Sequence, residues 1–189
     1  MTSPLSMAET LRDVVTRLEG LHIKYMVTGS VAMSVYVTPR LTMDIDIVVE
    51  IPAGDSQRFA NGFSVDYYVN PASIRRAIDR QSMFNIVSLP FGVKVDCILL
   101  KRDEFSVARF SRRVMVNMNG MSVWCITKED LILAKLMWAR ESHSEVQFRD
   151  ISNLTESGYD VDYVTLWTEK LRLHDTWSAL DQWKIQAAK

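Results

Sequence analysis

Residues 42–49 read TMDIDIVV, two aspartates one residue apart inside an apolar run. The β-branched residues and the alternation of polarity predict a strand. Successive side chains on a strand point to opposite faces. Asp44 and Asp46 therefore share one face, and Ile45 and Ile47 take the other. Two readings fit. In the plainer one the segment is an edge strand with one wet face, and the aspartates meet solvent. In the other the two carboxylates hold a cation together, because crowded carboxylates repel unless something positive sits between them. Mg²⁺ suits such a site, since it takes hard oxygen ligands from one or two carboxylates and from substrate phosphates.

The 189 residues fit one domain, or a core with a small appended lobe. Apolar residues make up 48% of the chain, enough for a sizeable hydrophobic core. The net charge of −1 argues against a protein that lives on non-specific nucleic-acid binding. A local basic patch stays open between Arg75 and Arg113, where nine residues are basic and four acidic. Cys97 and Cys125 are too few for a disulfide framework and read as reduced and buried. The N-terminus lacks the basic start and long apolar run of a signal peptide, and no window has the length of a membrane span. These features predict a soluble cytoplasmic α/β protein with no membrane partner.

Helix is predicted first, over residues 6–20, with Ser6 and Glu9 at capping-box spacing and Gly20 as the stop. Residues 23–28 form a strand, Gly29 and Ser30 turn out of it, and 31–37 form a short helix. The acidic strand follows, then a short helix and a possible strand around Tyr67. Pro71 opens the next helix from its first turn. Two strands, 83–89 and 92–100, join through a tight turn at Pro90, Phe91 and Gly92, and a helix covers 103–113. Asn119-Gly120 suits the primed turn of a hairpin between 113–118 and 121–126. From Thr127 onward the pattern is helical. Thr127 and Asp130 stand in capping positions, and Leu131, Ala134 and Trp138 follow at helical spacing on a largely buried helix. The predicted organisation is a core over 1–126 and a helical subdomain over 127–189 packed on it.

Two further features bear on the aspartates. Gly29-Ser30 stands between a strand and a helix N-terminus, the arrangement that presents free backbone N–H groups and a positive dipole end to an anion. Asp96 lies in the middle of another apolar strand, GVKVDCILL. There Lys94 and Asp96 share one face, which by itself is equally well read as a solvated Lys–Asp pair. A phosphate cradle, two carboxylates on one strand and a third on a neighbour are the parts of two-metal phosphoryl or nucleotidyl transfer.

VTGS, MDIDIV and VKVDCI together resemble the motif series of the nucleotidyltransferase superfamily of the polymerase-beta type: h-G-[GS], a helix, D-h-D-h, and a later h-D-h. RLTMDID (Arg40, Thr42) and EDLILAKLMWARESHSEVQFRDI are similar to the AbiEii/AbiGii toxin-related branch. The resemblance covers about residues 20–155. It implies an α/β (α+β) mixed sheet flanked by helices, with a C-terminal helical cap. It implies that Asp44, Asp46 and Asp96 bind two Mg²⁺ ions, with Asp96 also placed to act as base. Gly29 and Ser30 would hold the triphosphate, Arg40 would steady Asp44 or meet the nucleotide, and Lys135 would reach the phosphates. Lys135 is the only charge between Leu131 and Ala139, and from the residues alone a lysine that sends its ammonium to water is the plainer account of it. Arg149 and Asp150 read as a pair within the cap. The basic residues around the Lys135 helix are sparser than in toxin-like relatives.

The activity so implied is transfer of an NMP from an NTP to a tRNA, protein or small-molecule acceptor such as an aminoglycoside. The biological role would be the toxin of a toxin–antitoxin pair, with an antitoxin partner. The alternatives are a non-catalytic nucleotide- or protein-binding member such as an antitoxin, and a metal-dependent nuclease. Asp66 is a rival third acid. The three histidines have no metal-ligand spacing, and no nucleophile elbow, Walker or dinucleotide glycine motif is present.

Overall fold

A computed structural model describes residues 4–38, 42–142 and 144–187. The chain divides into two compact units, Met1–Val35 with Pro39–Ile126 and Tyr36–Thr38 with Thr127–Lys189.

The first unit contains α1 (Pro4–Gly20), β1 (Lys24–Thr28), α2 (Gly29–Met33), β2 (Asp44–Glu50), α3 (Ser56–Phe63) and β3 (Tyr67–Tyr68). After these come α4 (Pro71–Arg80), β4 (Met83–Ser88), β5 (Lys94–Leu99), α5 (Glu104–Ser111), β6 (Val114–Met118) and β7 (Met121–Cys125). The strands form one mixed seven-stranded sheet in the order β3-β4-β5-β2-β1-β7-β6. β2 and β5 run parallel, as do β1 and β7, and the remaining neighbours are antiparallel. β2 is therefore the central strand. The wet edge strand that would explain its aspartates most simply is ruled out.

Alternation builds the core. Ile45 and Ile47 are fully buried, as are Val27 on β1, Val95 on β5 and Val123 on β7. Leu11, Val14, Val15 and Leu18 bury one face of α1. Phe59 stacks on Phe63 at 4.7 Å and meets Phe84 edge-on at 5.2 Å. Cys97 and Cys125 are free and buried, and burial pushes the Cys125 thiol up to about 12.

Helix boundaries differ from expectation: α2 covers Gly29–Met33 where 31–37 was expected, and α1 differs at both ends. α1 starts at Pro4, so Ser6 lies in its first turn and accepts at its carbonyl from Thr10 Oγ1, 2.7 Å away. Proline suits that start because its missing N–H has no partner there anyway. Gly20 is the last helical residue, but the left-handed position is His22 (φ 53°). His22 and Ile23 donate back to the Glu19 and Leu18 carbonyls, both at 2.9 Å, which is a Schellman closure. The β6–β7 turn is as its sequence requires, with Asn119 at φ 53° and Gly120 at φ 76°.

The second unit holds α6 (Lys128–Ser142), α7 (Glu145–Glu156), α8 (Val161–Lys170) and α9 (His174–Ala187). Leu131, Ile132, Leu133 and Leu136 on α6 are buried, with Ile151, Leu154 and Leu180 from α7 and α9. Trp138, expected on the buried part of α6, is instead 62% exposed. Thr127 Oγ1 and the buried Asp130 carboxylate bond at 2.7 Å at the head of α6, and Tyr163 on α8 donates to the other carboxylate oxygen at 2.8 Å.

Candidate active site

The pairing of β2 with β5 sets the site. Asp46 lies directly opposite Asp96, and Asp44 opposite Lys94. Residues opposite each other on neighbouring strands point to the same face. On β1, Thr28 lies opposite Asp46, and on β4, Asn85 lies opposite Asp96. One row across four strands is thus Thr28, Asp46, Asp96 and Asn85, and the next begins with Asp44 and Lys94. Thr28 and Asn85 are members of this row that the sequence does not single out. Asn85 carried one signal, a polar residue between Phe84 and Ile86 in an apolar strand.

Gly29 stands against this row. Its φ is +64°, and a Cβ there would lie 2.0 Å from Asp46 Oδ2. Only glycine brings the backbone this close to the carboxylate without strain. Ser30 follows as the second residue of α2. The sequence-predicted Gly29 and Ser30 are thereby next to the acids, at the exit of β1.

The acids differ in exposure. Asp44 is 40% exposed at its side chain, and Thr42 Oγ1 donates to its Oδ1 at 2.9 Å. The Asp96 side chain is 8% exposed. The Lys94 ammonium sits 2.7 Å from Asp96 Oδ2 and 3.9 Å from Asp44 Oδ2. The hydrogen bond to Asp96 holds the Lys94 ammonium above its ordinary pKa, with partial burial opposing and the Asp44 and Asp46 charges adding to it. Asp96 Oδ1 is buried and has no hydrogen-bond partner among the described residues. An ionised oxygen left so is expensive, and a cation at the site would satisfy it.

This donor set fits Mg²⁺ in kind: hard carboxylate oxygens, two of them on directly opposed residues, and one oxygen without a partner. Among the described residues, no three His, Cys, Asp or Glu side chains stand gathered as a metal cluster. The Lys94 ammonium lies within hydrogen-bonding reach of Asp96.

The other predicted residues lie as follows. Arg40 falls outside the described residues. Lys135 is 5% exposed, and its ammonium is 2.7 Å from Asp150 Oδ2 and 3.4 Å from Gln147 Oε1, inside the second unit. The expected Arg149–Asp150 pair gives way to this one: Arg149 is exposed, while Asp150 points inward to the lysine. Asp66, the rival third acid, lies beside β3 at one edge of the sheet and binds Arg17 Nη2 of α1.

No protein-family model and no curated protein matches the chain. Solved structures do. A lincosamide antibiotic adenylyltransferase, LnuA, bound to lincomycin, superposes with a TM-score of 0.53 at 17% identity over 77% of this chain and 94% of its own. The antibiotic-resistance factor ANT(2'')-Ia in solution gives a TM-score of 0.59 at 11% identity, covering 95% of this chain and 97% of its own. The fold is that of the nucleotidyltransferases. A nucleotidyltransferase-like protein from Paracoccidioides brasiliensis agrees, with a TM-score of 0.54 at 17% identity over 91% of both chains. The nucleotidyltransferase fold accounts for the seven-stranded mixed sheet, whose two parallel acid-bearing strands lie side by side.

Proposed function

We propose that the protein is a metal-dependent nucleotidyltransferase that moves an NMP from an NTP to an acceptor hydroxyl or phosphate. The observation that carries this reading is the register of β2 on β5, which sets Asp46 opposite Asp96 with Gly29 against Asp46. Asp44, Asp46 and Asp96 would hold two Mg²⁺ ions. Bound there, the ions would lower the proton affinity of the acceptor and neutralise charge on the departing pyrophosphate.

The chain's own groups do the rest. Gly29 lets the backbone approach the acids, and its N–H with the Ser30 hydroxyl receives the β- and γ-phosphates. Thr42 orients the Asp44 carboxylate through its hydrogen bond to Oδ1. Asp96, mostly withdrawn from water, would take the acceptor proton on its carboxylate. The acceptor oxygen then bonds to the α-phosphorus as the bond to the β-phosphate oxygen breaks, and pyrophosphate leaves. Arg40, on the approach to the acids, would meet the nucleotide. Lys135 would meet the triphosphate, as the resemblance implies.

For the acceptor, two of the fold neighbours are named for antibiotics. That supports a small hydroxylated molecule. The R-x-T-x-D-h-D approach to Asp44 favours instead a toxin that modifies tRNA or protein and is held by an antitoxin. One experiment serves both. The protein is incubated with each labelled NTP and Mg²⁺, against total RNA, cell extract and an antibiotic panel. The expected result is label on one acceptor class with wild type and none with the Asp44→Asn, Asp46→Asn double variant. Equal label with both proteins would refute the mechanism. NTP binding without any transfer would identify a non-catalytic binding module.

A further inference from the structure

The acids already have one cation beside them, and it belongs to the chain. Lys94 lies two residues before Asp96 on β5 and opposite Asp44 on β2. Its ammonium reaches both carboxylates, 2.7 Å from Asp96 Oδ2 and 3.9 Å from Asp44 Oδ2. We propose that Lys94 is a built-in counter-ion that stands in the divalent-cation position and must swing out for a cation to enter, so that it sets cation affinity by competition. The inference rests on the metal-dependent reading of these acids given above.

Three observations support it. First, Asp46 and Asp96 are directly opposed like charges, which the sheet tolerates only with a positive charge nearby. Lys94 supplies that charge. Second, the replacement is incomplete. An ammonium at Oδ2 leaves Asp96 Oδ1 buried and without a partner, a deficit that a multiply coordinating cation removes and a lysine does not. Third, the lysine can leave. Its side chain is 43% exposed, against 8% for Asp96, so a rotation of its four-carbon stem carries the charge into water while the carboxylate stays. Once out, the ammonium is free to meet an incoming phosphate.

Mn²⁺ is the probe, titrated into metal-free full-length protein with free Mn²⁺ read by electron paramagnetic resonance. Wild type is compared with Lys94→Met, which keeps the stem and removes the charge, and with Lys94→Arg, which keeps the charge. Lys94→Met should bind Mn²⁺ roughly two- to tenfold more tightly, the range expected for loss of one half-exposed competing pair, and Lys94→Arg should stay near wild type. Lys94→Met should also melt lower than wild type without metal and gain more in Tm when Mn²⁺ is added. Lys94→Gln is measured alongside and replaces Lys94→Met if that variant does not fold. Equal Mn²⁺ affinity in wild type and the neutral variants would overturn the counter-ion role and leave the metal site standing. No Mn²⁺ binding by any of them would overturn the metal reading, and this inference with it.

Discussion

The close approach of Gly29 to Asp46 can be tested against a matched control. Alanine at residue 29 meets two separate penalties. Its backbone must hold φ near +64°, which costs a residue with a Cβ about 1–2 kcal/mol. Its methyl must also find room where Asp46 Oδ2 would be 2.0 Å away, Cγ 2.7 Å and Cβ 2.9 Å. Forcing one extra carbon into a filled site costs about 1–3 kcal/mol more. Gly92, in the β4–β5 turn, separates the two. Its φ is +65°, nearly that of Gly29, yet nothing lies within 4 Å of a Cβ built on it. Gly92→Ala should therefore lose only the backbone part, about 1–2 kcal/mol. The difference between the two alanines is the price of the contact with Asp46.

Native-state hydrogen exchange of the β1 and β2 amides is the suitable assay, because it reports the sheet unit separately from the helical one. Asp46→Ala supplies the second leg of a double-mutant cycle. In that background Gly29→Ala should recover about 1 kcal/mol or more of its loss, though not all, because Cβ of residue 46 still crowds the methyl. In the wild-type background the displaced carboxylate should also weaken Mn²⁺ binding. Equal losses at 29 and 92, with no coupling to residue 46, would show that Gly29 serves only a turn. Gly29 would then not be what lets the backbone reach Asp46.

Two other perturbations probe the second unit and a helix cap. Lys135→Met should destabilise by about 3–5 kcal/mol, because it removes the ammonium held 2.7 Å from Asp150, a carboxylate 1% exposed at its side chain. Adding Asp150→Leu should restore most of that loss in a thermal melt, and a neutral Lys135→Met would contradict the buried pair. At α5, burial of the Asp103 carboxyl pushes its pKa up, but hydrogen bonds from the Ser106 N–H and hydroxyl more than offset this and hold it below the usual range. A depressed folded value means that the cap stabilises above the ordinary carboxylate pKa and is lost as pH falls through the folded one. The stability difference between wild type and Asp103→Ala should then be about 1 kcal/mol near pH 7 and shrink as pH falls below the ordinary carboxylate range, measured by urea unfolding. A difference unchanged with pH would remove the charge from the explanation.

Local rules made much of the fold legible. β2 shows its two faces because only one is apolar, and the β6–β7 hairpin shows its turn because Asn119-Gly120 meets the demand for positive φ twice. The order of strands was not legible by these rules. The pairing of β2 with β5 joins residues about fifty positions apart, and nothing near Asp46 announces Asp96. Only the resemblance of spaced motifs brought them together. Lys135 marks the opposite limit. A lone lysine on an apolar helix reads alike whether it reaches a phosphate or a buried acid, and its partner Asp150 lies fifteen residues on, on the next helix. Asn85 was missed because one polar residue on an otherwise apolar strand is too common to select.

The register itself argues for function. Sliding β5 against β2 by two residues keeps every side chain on its own face, so hydrophobic alternation does not choose between the registers. The slip that set Lys94 opposite Asp46 would place opposite charges side by side and move Asp96 beside Val48, away from both aspartates. On cross-strand charge alone that pairing is preferred. The observed pairing instead sets Asp46 opposite Asp96, calls on Lys94 to bridge to Asp44, and leaves one buried carboxylate oxygen without a partner. Departures of this kind from the locally favourable arrangement are expected where a site must bind something. Here the departure is an excess of negative charge with one oxygen unmet among the described residues, which supports the proposed cation and its proposed exchange with Lys94.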